Sequence, residues 1–191
     1  MGKKRIFITG IPTAGKSYLA SKLAEKVGGI CVSIDDFREG LAKDERYKKW
    51  VNFYSDQDEH AYYTTTTHDE QWVNLVKQSE GFWPGILEKI HQYDNEEKPV
   101  IFEGVNILPH LAHRDLQIPG IAIIGRSFDE TLERNKKEPR WGATKELQKL
   151  EAEAFFNGER PHYKEESEKY GYQVFETPDE AWETALLLLT R

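Results

Sequence analysis

Between a short β-rich run, Arg5 to Thr9, and a helix-forming segment, Lys16 to Val27, stands the octet Gly10-Ile11-Pro12-Thr13-Ala14-Gly15-Lys16-Ser17. It satisfies G-x-x-x-x-G-K-[ST], the phosphate-binding loop, in the strand–loop–helix context that loop requires. Each fixed position has a physical task. Gly10 and Gly15 permit backbone turns that aim successive N–H groups at phosphate oxygens. The helix beginning near Lys16 adds the positive end of its dipole. Lys16 is expected to reach the β- and γ-phosphates, and the Ser17 hydroxyl to ligate Mg²⁺. Ile11, Pro12, Thr13 and Ala14 complete the cradle, and Tyr18 follows it on the helix. The chain is thus constrained to a nucleotide-binding α/β fold before any other residue is considered.

The rest of the chain alternates accordingly. Leu19, Ala20, Leu23, Ala24 and Val27 share one face of the first helix, which Gly28-Gly29 stops. Further strands are expected at Ile30–Ile34, Val100–Glu103, Ile121–Ile124 and Gln173–Phe175, giving a mostly parallel five-stranded sheet. Helices are expected at Phe128–Glu138, Thr144–Phe156, Pro161–Tyr170 and Pro178–Leu189. One gap is out of proportion: residues 36–98 separate the second and third strands, where a crossover needs about a dozen residues or more. That insertion holds 11 of the chain's 23 aromatic residues and 14 acidic against 8 basic side chains. Most of its rings are expected to build a small core, and a few to line a pocket.

Composition narrows the function. At 191 residues the chain is expected to form a single domain, spanning residues 1–191, that needs no disulfide staple. Cys31 is its one cysteine, which fits a reducing compartment. The longest pure apolar stretch, Ala185–Leu189, falls far short of the ~18 residues of a membrane span. These features predict a soluble cytoplasmic protein with no membrane partner. A net charge of -7 argues against a broad nucleic-acid face. Residues 126–149 run the other way, with 7 basic and 5 acidic side chains, which suggests one anion held at one place. The residues fix no oligomeric state.

Phosphoryl transfer needs a cradle, a metal, a proton acceptor and positive charge about the moving phosphoryl. Asp35, at the carboxyl end of the second strand, is the candidate general base. Asp36 is its rival, and for either the alternative is a helix cap. Glu103 ends the third strand, where a carboxylate could hold Mg²⁺ through water or orient the nucleophile. Arg126, Arg134 and Arg140 supply guanidinium groups suited to phosphate. The acceptor-binding candidates are Asp35, Asp36, Arg38, Glu103 and Gly104. Two further patterns carry no chemistry. Asn135-Lys136-Lys137-Glu138 lies inside a helix with Glu where a guanine-reading motif has Asp, and His110-x-x-His113 lacks partners at metal-ligand spacing. The dinucleotide fingerprint G-x-G-x-x-G is absent.

With these residues in place the chain resembles P-loop kinases of the nucleoside/nucleotide-kinase group over nearly its whole length. Asp35-Asp36-Phe37 is similar to the D-x-F of uridine kinases and related small-molecule kinases, whose first aspartate is the base. Leu132-Glu133-Arg134 running to Arg140 resembles their lid, whose arginines close over ATP. Gly81-Phe82-Trp83-Pro84-Gly85-Ile86, followed by Val100 to Pro109 with Glu103-Gly104-Val105-Asn106, resembles a stretch of 2-phosphoglycerate kinases, with Asn106 where that family has His. The resemblance implies a three-layer P-loop kinase sandwich with a helical acceptor-binding insertion at 36–98 and a lid at about 126–160. It further implies ATP and Mg²⁺ as cofactors and a small-molecule acceptor, with Lys16, Asp35, Arg134 and Arg140 catalytic, Arg134 also on ATP, and Ser17 and Glu103 on the metal. The acidic, aromatic insertion suits a neutral or cationic acceptor such as a nucleoside, sugar or amino-containing metabolite. A nucleoside or nucleotide kinase is the alternative enzyme, and an NTP-hydrolysing regulator of a protein partner the alternative outside metabolism.

Overall fold

The computed structural model describes residues 4–190. Five strands, β1 (Arg5–Thr9), β2 (Ile30–Ser33), β3 (Val100–Glu103), β4 (Gly120–Ile123) and β5 (Gln173–Phe175), pair in the order β2-β3-β1-β4-β5. Every pairing is parallel. All carboxyl ends therefore point to one edge of the sheet, where ligands bind in open α/β sheets. β1, β3 and β4 are buried along their whole length, which is why they read as unbroken apolar runs rather than alternating ones.

Helices cover both faces: α1 (Lys16–Val27), α2 (Ile34–Gly40), α3 (Lys48–Val51), α4 (Glu59–Thr65), α5 (His68–Ile90), α6 (Pro109–Asp115), α7 (Phe128–Lys137), α8 (Lys145–Glu153), α9 (Arg160–Lys169) and α10 (Pro178–Thr190). The insertion comprises most of α2 together with α3, α4 and α5. Its longest helix, α5, starts at a capping box in which the Thr67 side chain accepts from Glu70 N–H and Glu70 returns a bond to Thr67 N–H. Trp72, Phe82, Trp83 and Ile86 of α5 are buried in the main core. The apolar face of α5 therefore joins the core of the sheet.

Three boundaries differ from the sequence reading, each for a local reason. β2 ends at Ser33, whose hydroxyl accepts from Asp36 N–H and caps α2, so Asp35 sits in the first turn of a helix rather than at the end of a strand. β4 ends at Ile123, so Arg126 lies in the loop beyond it. The helices expected at Thr144–Phe156 and Pro161–Tyr170 are joined by a π-helical segment, Ala154–Glu159. Pro161 has no N–H to return to the carbonyl of Asn157, and a widened turn absorbs that loss without breaking the helix.

α7 and α8 pack as a hairpin. Asn135, fully buried, donates through Nδ2 to Gln148 O at 3.0 Å and to Glu151 Oε2 at 2.8 Å. Gly142 N–H adds a bond to Glu151 Oε1 at 3.4 Å. The asparagine of the Asn135–Glu138 run is thus a structural tie. His110 is likewise spent, with Nδ1 3.0 Å from Glu166 Oε1. Among the described residues no helix is long and apolar enough to cross a membrane.

Candidate active site

The loop after β1 takes the conformation its glycines permit. Gly10 has φ 123° and Gly15 φ 96°, both in the region that side chains avoid. A Cβ on Gly10 would meet Ile123 O at 1.9 Å, and one on Gly15 would meet Pro178 Cγ at 2.6 Å. Thr13 joins them at φ 61°. α1 begins with no side-chain cap and no acidic residue in its first turn. Its orphan N–H groups and dipole therefore face the loop, an arrangement that fits a phosphate.

Lys16 is buried, and Nζ donates to Ile11 O at 2.6 Å. Burial pushes its ammonium down to about 8, although nearby Glu103 and Asp35 pull it upward. Glu103 is 5% exposed. Burial raises its carboxyl, Lys16 lowers it and Asp35 raises it, with the Ser17 hydroxyl alongside. Ser17 and Glu103 are oxygen donors of the kind Mg²⁺ uses when it completes its shell with water and phosphate. The described residues hold no cluster of three or more His, Cys, Asp or Glu that could hold a metal ion.

Two cavities, each of about 650 Å³, open on either side of Lys16. The first runs from Thr13 and Gly15 past Tyr18 to Arg126 and Arg134. Its wall carries five basic side chains (Lys16, Arg126, Arg134, Lys137, Arg140) and three acidic ones (Glu130, Glu138, Asp179). Arg134 Nη1 donates to Thr13 O at 3.1 Å, so the α7 arginine already leans on the phosphate loop. Arg126 is paired with Glu180 at 3.2 Å. Tyr18, 59% exposed, stands at the rim.

The second cavity lies between the sheet edge and the insertion. It contains Asp35, Asp36, Arg38 and Glu103 but not Gly104. Gly104 instead lets β3 approach α2, since a Cβ there would stand 2.8 Å from Ile34 Cβ. Asp35 Oδ1 is shielded and has no hydrogen-bond partner, with Arg38 Nη1 at 3.7 Å. Arg38 is steadied from behind by Asn106 Oδ1 at 3.4 Å. Asp36 is exposed. Because Ser33 caps α2, neither aspartate is spent on that task. The two cavities share Lys16, Ser17 and Arg140.

A few rings of the insertion do line this cavity, whereas Trp141 and Glu159 escape the sequence reading. Tyr54, Tyr62 and Tyr63 from the insertion meet Trp141 from the α7–α8 loop, with ring centroids 5.7, 5.9 and 5.7 Å from the indole. Glu159, on the π segment, places a shielded, unpartnered Oε2 in the same wall. Burial pushes its carboxyl up to about 8, with Lys16 pulling the other way. The signal that could have found it is the carboxylate two residues before a mid-helix proline.

No family model matches this chain, and no match was found among curated proteins. Solved structures do resemble it. Shikimate kinase from Acinetobacter baumannii, solved with shikimate, is 18% identical at a TM-score of 0.55, covering 98% of this chain and 94% of that one. TT1252 from Thermus thermophilus is 18% identical at a TM-score of 0.58, covering 100% of each chain. Shikimate kinase from Bacteroides thetaiotaomicron is 16% identical at a TM-score of 0.52, covering 97% and 95%. At these identities the likeness is one of fold: the chain has the mostly parallel five-stranded α/β architecture of P-loop kinases.

Proposed function

We propose that this chain is a kinase that transfers the γ-phosphoryl group of ATP, with Mg²⁺, to a hydroxyl of a small molecule. The observation that carries this reading is the meeting of two cavities of opposite character at Lys16, Ser17 and Arg140. A site built only to hydrolyse a nucleotide needs no second chamber. In this reading residues 1–191 form one kinase domain, residues 36–98 bind the acceptor, and the region at about 126–160 is the lid.

The roles follow from position. The loop backbone and Lys16 hold the β- and γ-phosphates, Lys16 exchanging the Ile11 carbonyl for phosphate oxygen. Magnesium, held by Ser17 Oγ and through water by Glu103, would neutralise charge across those phosphates. Asp35 Oδ1, without a hydrogen-bond partner and 3.7 Å from Arg38 Nη1, accepts the proton of the attacking hydroxyl. Arg134 and Arg140 present guanidinium groups to the charge that develops on the transferring phosphoryl. Arg140 borders both chambers and so stands nearest the line of transfer.

The acceptor is the finer question. The second cavity is lined by six carboxylates (Asp35, Asp36, Glu39, Glu103, Glu151, Glu159) against Lys16, Arg38 and Arg140. An acceptor bearing both phosphate and carboxylate, such as 2-phosphoglycerate, is poorly served by that wall. Asn106, where 2-phosphoglycerate kinases have His, is wholly buried and donates to Ser79 Oγ at 2.8 Å. It therefore positions Arg38 and does not meet an acceptor. The same surplus of carboxylates disfavours a nucleotide acceptor.

The test compares Asp35→Asn with Asp36→Asn. Asp35→Asn should leave Mg-ATP affinity nearly unchanged while lowering acceptor-dependent turnover by ~10²–10⁴, the range for a positioned general base. Asp36→Asn should alter turnover little. Loss at Asp36 alone would reassign the base, and full turnover in both would remove the role.

A further inference from the structure

Within the acceptor cavity, the shielded side-chain atoms without a hydrogen-bond partner are Asp35 Oδ1, Gln71 Oε1 and Glu159 Oε2. They come from α2, α5 and the π segment, and all three are acceptors. Gln71 is only 6% exposed. Its Nε2 is already committed to Thr66 O at 3.3 Å and Thr66 Oγ1 at 3.1 Å, which leaves Oε1 as the unpartnered end of an amide on the cavity wall. A buried acceptor left without a donor costs ~1–3 kcal/mol, and native structures leave few such groups. Three on one wall therefore describe an occupant rich in N–H and O–H donors.

Charge narrows the occupant further. Of the three cations on this wall, Arg38 is engaged by Asp35 and Asn106. Lys16 and Arg140 belong equally to the nucleotide chamber. Glu159 has neither an ion-pair nor a hydrogen-bond partner for its shielded oxygen. Beside it stands the aromatic wall of Tyr54, Tyr62, Tyr63 and Trp141, whose rings meet edge to face or tilted and whose π faces attract cations. An ammonium group brings three donors, no acceptor and a positive charge.

We infer that the phosphoryl acceptor is a cationic amino-alcohol, of aminosugar or aminocyclitol size, whose ammonium is held by Glu159 and the Tyr54/Tyr62/Tyr63/Trp141 wall while its reacting hydroxyl faces Asp35. This rests on the kinase reading above and makes Glu159 the residue that determines acceptor specificity. In the transfer the hydroxyl oxygen forms the new bond to the γ-phosphorus, the bond from that phosphorus to the β,γ-bridging oxygen breaks, ADP leaves, and the hydroxyl proton passes to Asp35.

The experiment is calorimetric titration of the whole protein saturated with Mg-ADP. D-glucosamine and the diamino-cyclitol streptamine are compared with D-glucose, myo-inositol and D-gluconate. Both amines should bind at least ~10-fold more tightly than their hydroxyl counterparts, the worth of one charge-assisted contact. Glu159→Gln should erase that preference, weakening the amines far more than D-glucose or myo-inositol, because only an ammonium meets the carboxylate as charge to charge. Should Glu159→Gln not fold, Tyr63→Leu replaces it and should weaken the amines selectively. The inference is overturned if D-gluconate or a neutral polyol binds as tightly as the amines, if no amine binds, or if the preference survives in folded Glu159→Gln. Failure to bind Mg-ADP in the first titration would instead count against the kinase reading.

Discussion

Replacing Lys16 by Met should stabilise the fold while destroying its function. The side chains are of similar length and both are apolar along the stem, so packing is conserved. What changes is the buried charge. The displacement of the Lys16 ammonium from its ordinary 10.5 to about 8 corresponds to ~3 kcal/mol of penalty on the charged form at neutral pH. The attraction of Glu103, Asp35 and Glu159 is already contained in that figure. Glu159, pushed up to about 8 even beside Lys16, is already largely protonated at neutral pH, so the substitution leaves no unpaired charge there. For a chain of this size ~3 kcal/mol raises the melting temperature by about 6–12 °C. The pH dependence carries a definite sign. Between about pH 8 and 10.5 the unfolded wild type holds a proton that the native state has shed, so wild-type stability gains on the variant as pH rises. Urea unfolding of both proteins at a series of pH values reads this directly. The gap should be full below pH 8 and should close toward pH 10.5. A Lys16→Met protein less stable than wild type at pH 7, or a gap that widens with pH, would refute the reasoning.

The α7–α8 hairpin supplies the remaining predictions. Asn135→Ala removes the side-chain donor that the Gln148 carbonyl and Glu151 Oε2 share, while Gly142 N–H still meets Glu151 Oε1, and should lower unfolding free energy in urea by ~1–3 kcal/mol. A smaller loss would mean that water replaces the amide. Arg140→Ala should reduce turnover ~10²-fold with little change in nucleotide affinity, as expected of a donor engaged chiefly at the transition state. Arg134→Ala, which also releases the Thr13 carbonyl, should weaken both nucleotide binding and turnover. Steady-state kinetics beside nucleotide titrations separate the two.

The parts of this molecule that are local in sequence are the parts that were legible in it. The Gly10–Ser17 loop is one continuous turn of chain, and its glycines are required by backbone geometry alone. β1, β3 and β4 are buried on both faces, so their apolar runs declare them. The acceptor wall is different in kind. Tyr54, Gln71, Trp141 and Glu159 are spread over more than a hundred residues and meet only because α5, the α7–α8 hairpin and the π segment close on one another. No spacing rule links them. Glu159-Arg160-Pro161 reads as the start of a helix, and only the π segment beneath it turns the carboxylate toward the cavity. The position of Asp35 after an apolar run reads as a strand end, and only the Ser33 cap puts it in the first turn of a helix. Gly104 beside Glu103 reads as an acceptor contact, whereas its absent side chain serves the packing of β3 on Ile34.

The central claim is that the γ-phosphoryl group crosses from the basic chamber to a hydroxyl in the acidic one. Phosphorus NMR of Mg-ATP with the protein, alone and with each of the aminated and hydroxylated probes, follows that group itself. A new phosphomonoester resonance should grow in step with ADP, require an acceptor, and vanish in Lys16→Met. Inorganic phosphate appearing at the same rate with and without every acceptor would contradict it.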